Sequence, residues 1–150
     1  MSQGRVELGT SVGYALKEAA SALRAAMEEA LRPLGLGVTQ YSCLEVLAHR
    51  PGSSSSDLAR ATFVTRQSMG SLLQSLERDG LVARATEPAG GRALPTRLTA
   101  AGRSALQDAS AAVRAVEARM LGGLTVTQER EALQLLRGMV RALQDEPGVD

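Results

Sequence analysis

A chain of 150 residues, 44% hydrophobic and 22% charged, is about one domain with enough apolar side chains to bury a real core. Apolar runs of only a few residues exclude a membrane span, a single cysteine excludes an internal disulfide framework, and residues 1–5 lack the apolar stretch of an export signal, so a cytoplasmic protein is expected. The formal net charge of +1 says nothing about partners, whereas the 2% aromatic content disfavours the stacking surfaces that bind single strands and RNA loops.

Leu8, Val12, Ala15, Ala19, Leu23, Met27, Ala30 and Leu34 recur at steps of three and four, so one long helix is expected over residues 8–34. The breaker cluster Pro33-Leu34-Gly35-Leu36-Gly37 ends it. A second helix starts near Thr39, carries Tyr41, Leu44, Val46 and Leu47, and stops at Arg50-Pro51-Gly52. The serine run 53–56 reads as a turn supplying an N-cap rather than as a linker, because Asp57-Leu58-Ala59 follows in helical pattern. A short third helix over residues 55–61 meets a turn at Thr62-Phe63-Val64.

A fourth helix spans residues 65–79, with Thr65 as cap and Met69, Leu72, Leu73 and Leu76 as its buried stripe. Gly80 stands where a left-handed cap is favoured, with Leu81 beyond it to pack back. Residues 81–86 and 93–98 read as paired strands, and Pro95 places the second at a sheet edge. Thr99 caps a long fifth helix striped by Leu106, Ala109, Val113, Val116 and Met120, which Gly122-Gly123 breaks. Thr125 and Gln128 form a capping box for a sixth helix carrying Leu133, Leu136, Val140 and Leu143. The fold class is therefore mainly α with a small β-wing: a winged helix-turn-helix of six helices plus a hairpin. Its central module, residues 39–99, is flanked by helical segments 8–34 and 103–145 too apolar for one small lobe to cover, and a symmetric dimer buries them most simply.

In order and spacing the chain resembles the multiple antibiotic resistance regulators, the MarR family. The resemblance is carried by Thr39-Gln40-Tyr41, Asp57-Leu58-Ala59-Arg60, Val64-Thr65-Arg66-Gln67-Ser68, Leu76-Glu77-Arg78-Asp79-Gly80-Leu81-Val82 and Arg97-Leu98-Thr99-Ala100-Ala101-Gly102. It implies a homodimer of winged-helix lobes that binds pseudo-palindromic double-stranded DNA operators, usually as a repressor released by a small-molecule effector. The family's wing usually carries Asp-x-Arg, whereas this chain has Gly90-Gly91-Arg92, which keeps the arginine and lacks the carboxylate that braces it.

Helix-turn-helix proteins set the start of the recognition helix against base edges, which makes Thr65, Arg66, Gln67, Ser68 and Ser71 the expected DNA contacts. Arg92 is expected in the minor groove and Ser53, Ser54 and Ser55 at phosphates. Arg84 and Arg97 are either phosphate contacts or plain solvated strand residues. Gly70 reflects either a close approach or sequence drift. Tyr14, Met27, Tyr41 and Cys43 either line an effector pocket or fill an aromatic-poor core, and Cys43 is either a redox sensor or a buried, inert thiol. No cluster has zinc spacing and no nucleophile has a base at catalytic spacing, so neither a metal cofactor nor an enzyme is expected. A winged-helix protein-interaction module without operator binding is the alternative.

Overall fold

Five hydroxyl residues decide where five helices begin. Ser11, Ser54, Thr65, Thr99 and Thr125 each accept a backbone N–H three residues on, from Tyr14, Asp57, Ser68, Gly102 and Gln128, at 3.0–3.1 Å. In the computed structural model, which describes residues 4–85 and 95–145, these caps open α1 (Val12–Leu31), α3 (Ser55–Thr62), α4 (Arg66–Arg78), α5 (Ala100–Leu121) and α6 (Val126–Gln144). The remaining helix, α2 (Val38–His49), has no hydroxyl cap; the Gln40 carboxamide instead reaches back to accept the Gly37 N–H at 2.9 Å.

The helix expected over 8–34 is shorter than its apolar pattern. Ser11 caps α1, so Leu8–Thr10 forms a separate 3-10 turn. At the other end Pro33 lacks the N–H a continuing α-helix needs, and Arg32–Leu34 tightens into a second 3-10 turn that Gly35 stops at φ 71°.

Two compact units make up the chain, Met1–Val116 and Glu117–Asp150. In the first, Leu31, Leu44, Leu47, Leu58, Met69, Leu73 and Leu76 are fully or almost fully buried in one cluster with Leu36, Cys43, Val82 and Leu106. In the second, α6 leaves Leu133, Leu136, Val140 and Leu143 exposed. Val12, Tyr14 and Leu16 are likewise exposed in the first unit, at the start of α1. Among the described residues no helix is long and apolar enough to cross a membrane.

The strands are β1 (Val82–Arg84) and β2 (Thr96–Leu98), antiparallel in the register Val82↔Leu98, Ala83↔Arg97, Arg84↔Thr96. In this two-stranded sheet the second strand is an edge strand, as expected, yet its outer side is not open. The other side of β2 is occupied by the segment before α3, since the Thr96 N–H donates to the Ser53 carbonyl and the Gly52 N–H to the Thr96 carbonyl, each at 3.1 Å. Pro95 is compatible because it stands just before the strand, where only its carbonyl is used, accepting the Ala85 N–H at 3.1 Å.

A glycine makes the joint between the wing and α5. A Cβ at Gly102 would lie 3.0 Å from the Leu81 carbonyl carbon and closer still to its oxygen. That oxygen accepts the Thr99 N–H at 3.1 Å, while the Thr99 hydroxyl donates to the Gly80 carbonyl at 2.6 Å. The end of α4 and the start of α5 are thereby held together across the wing.

Candidate nucleic-acid interface

Helices α3 and α4 meet through the turn 63–65. Phe63 takes a left-handed conformation (φ 61°, ψ 38°) as the C-cap of α3, and the Val64 N–H returns to the Ala59 carbonyl at 3.1 Å. Thr65 then caps α4, accepting the Ser68 N–H and donating its own proton to the Ser68 Oγ at 2.9 Å. Met69, Leu73 and Leu76 are completely buried, so the opposite side of α4 must face outward.

At about 100° per residue, the centre of that outward side is the row Gln67, Ser71, Gln74 and Arg78, spaced four, three and four apart. All four are exposed, and Arg66 and Ser68 flank the row and are exposed too. Gln74, absent from the residues expected from the first turns of the helix, falls on this row three residues after Ser71 and seven after Gln67, a spacing present in the sequence. Arginine and glutamine carry the paired donors and acceptors that match guanine and adenine in the major groove, and the four unpaired N–H groups at the start of a helix favour anions.

The serine run divides. Ser54 is the α3 cap, and its N–H donates to the Asp57 carboxylate at 3.2 Å, completing a capping box. The Ser54 hydroxyl and backbone, with Arg60 beside it, hold the Asp57 carboxyl below its ordinary pKa. Ser55 is half-buried in the first turn of α3. Ser53 departs from the expected phosphate role: it is buried, its hydroxyl donates to the Arg50 carbonyl at 2.6 Å, and its carbonyl pairs with β2. Arg84 is half-buried on β1 and Arg97 is exposed on β2. The expected minor-groove residue Arg92, with Gly90 and Gly91, lies outside the described residues.

A cavity of about 460 Å³ opens between the end of α2, strand β2 and α5. Leu47, Leu98 and Leu106 supply its apolar wall, and Arg97, Arg103 and Arg114 also line it. The Arg103 guanidinium is steadied by donation to the Leu98 carbonyl at 3.3 Å. Tyr14, Met27, Tyr41 and Cys43 do not line this cavity. Tyr41 is half-buried, and its hydroxyl pKa is raised first by burial and then by the Glu45 charge. Cys43 is fully buried in the core cluster, where loss of water pushes its thiol up to about 11. A thiol so placed is the buried, inert member of the two alternatives, and burial speaks against the redox sensor.

A buried-backed helix presenting a polar row, followed by a two-stranded wing, defines a winged helix-turn-helix protein of the DNA-binding class. Residues 34–93 match the sequence profile of the MarR family. The HTH-type transcriptional repressor Rv2887 of Mycobacterium tuberculosis is 44% identical over 125 residues, which cover 83% of this chain and 90% of that one. The crystal structure of that MarR family protein in complex with DNA superposes with a TM-score of 0.72 at 39% identity, covering 87% of this chain and 98% of the other. Its complex with salicylic acid gives the same TM-score at 40% identity, covering 93% and 99%. The chain belongs to the MarR family.

Proposed function

We propose that this protein is a cytoplasmic transcriptional repressor that acts by binding, without catalysis, as a homodimer on a pseudo-palindromic double-stranded DNA operator. Segments 8–34 and 103–145 form the dimer, and residues 39–99 form each DNA-binding lobe. The apolar residues left exposed at the start of α1 and along α6 support that division. Each lobe places α4 in a major groove and its wing, with Arg92, in the flanking minor groove. The two half-sites are then centred about one helical turn, roughly 34–36 Å, apart.

The observation that carries this reading is the row Gln67, Ser71, Gln74 and Arg78 on a helix whose other side is fully occupied by core. Thr65, Arg66 and Ser68 extend the contact at the helix start, Ser54 and Ser55 add phosphate contacts, and Arg84 lies beside the wing. Titration of labelled duplexes from the region upstream of the gene, followed by anisotropy, tests the reading. Gln67→Ala is expected to relax preference at particular base pairs, whereas Arg92→Ala weakens binding to all duplexes and flattens the salt dependence. Identical preference profiles for wild type and Gln67→Ala refute the recognition-face assignment.

The effector we propose is a small acid with an apolar body, held in the cavity beneath Arg97, Arg103 and Arg114. Three arginines among the lining residues, with a leucine wall, suit a carboxylate on an aromatic ring. The salicylic acid bound by the mycobacterial relative has that chemistry.

A further inference from the structure

Phe63 combines two features that the fold alone does not repay. It is 92% exposed, the most exposed large apolar side chain among the described residues. It is also the one described non-glycine residue with positive φ, a region where a Cβ clashes with the following carbonyl and glycine is favoured. The turn itself needs the left-handed conformation, since it lets the Phe63 and Val64 N–H groups close the end of α3 on the Arg60 and Ala59 carbonyls. It does not need the ring.

The position of the ring supplies the reason. Phe63 is two residues before Thr65, the cap of α4, and lies between exposed Arg60 and Arg66. Arg60 is already paired with Asp57, but an aromatic group three residues before Arg66, at the entrance to a helix whose outward row is polar, suits a partner that is anionic yet has apolar edges. A DNA duplex has both, with phosphates outside and sugar carbons and thymine methyls along the groove wall. We infer that Phe63 is a DNA-contact residue, packing its ring on the duplex wall beside the bases met by Arg66 and Gln67. This rests on the operator-binding reading above. The contact is apolar, so it adds affinity without displacing counterions.

The test uses the full-length protein and the duplex it enriches from a randomised pool of about 25 base pairs. Phe63→Gly suits the left-handed turn, so its melting temperature is expected to hold or to rise by up to about 4 °C. Its affinity for the enriched duplex is expected to fall roughly tenfold, the share of a partly buried phenyl ring. The slope of log affinity against log salt, between about 50 and 200 mM, stays that of the wild type. Phe63→Leu keeps most of the affinity.

Wild-type affinity in Phe63→Gly overturns the inference while leaving operator binding intact. A reduced salt slope overturns it too, since a lost apolar contact releases no extra ions. A change in sedimentation of Phe63→Gly toward a smaller species assigns the ring to a protein interface and also overturns it. If the wild type enriches no duplex, operator binding itself fails and the inference falls with it.

Discussion

Gly102→Ala adds one methyl group at the joint where α5 starts, and that group has nowhere to go. Its Cβ would collide with the Leu81 carbonyl, which is backbone already engaged by the Thr99 N–H. Forcing a methyl into such a contact costs about 1–3 kcal/mol. Any shift that relieves it stretches the Thr99–Leu81 and Thr99–Gly80 hydrogen bonds, each worth about 1 kcal/mol. Alanine recovers about 1 kcal/mol through helix propensity. The net expectation is a loss of about 1–4 kcal/mol, which lowers the melting temperature by roughly 2–4 °C per kcal/mol for a chain of this length. Thermal and urea unfolding followed by circular dichroism measure it, the latter with an unchanged m-value. A Gly102→Ala protein as stable as wild type refutes the close approach and with it the tight joint.

The opposite sign is expected at Gly70, where a Cβ meets nothing within 4 Å: Gly70→Ala should stabilise by about 0.5–1 kcal/mol in the same assay. Gln74→Ala, in the middle of the outward row, should leave the melting temperature within about 1 °C and change the sequence preference seen in duplex selection. Cys43 should resist iodoacetamide at neutral pH and react only as fast as the protein unfolds, as mass spectrometry of timed aliquots would show. Its folded pKa is raised, so the folded state keeps a proton that the unfolded state releases. Stability is therefore full below the ordinary value of 9.0 and falls as pH rises towards about 11, by roughly 2–3 kcal/mol, and Cys43→Val removes that share of the alkaline loss. With salicylate used as a probe of the proposed effector class, Arg114→Ala should weaken its binding at least tenfold by calorimetry while leaving DNA affinity without it unchanged.

What the sequence disclosed was local in origin. A Ser or Thr hydroxyl reaching three residues ahead depends on nothing outside one turn, so the starts of α3, α4 and α6 were readable from Ser54, Thr65 and Thr125. The stripe Met69, Leu73, Leu76 likewise declared which side of α4 is inside. What stayed hidden depends on partners far along the chain. Ser53 looks like its neighbours until Thr96, 43 positions away, pairs with its backbone and draws it into the interior. Gly102 looks like an ordinary residue of a helix start until the Leu81 carbonyl arrives against it. The cavity is assembled from α2, β2 and α5, and its wall needs Leu47 of α2 to meet Leu98 and Leu106, which lie beyond the wing.

The knot of Gly80, Leu81, Thr99 and Gly102 works like a rigid knuckle. Arg103 and Leu106, which line the cavity, stand within about one turn of that knuckle. With no methyl-sized gap at Gly102, the start of α5 and the end of α4 are in direct backbone contact there. On the function proposed above, occupancy of the cavity would therefore bear on the angle at which α4 meets a groove.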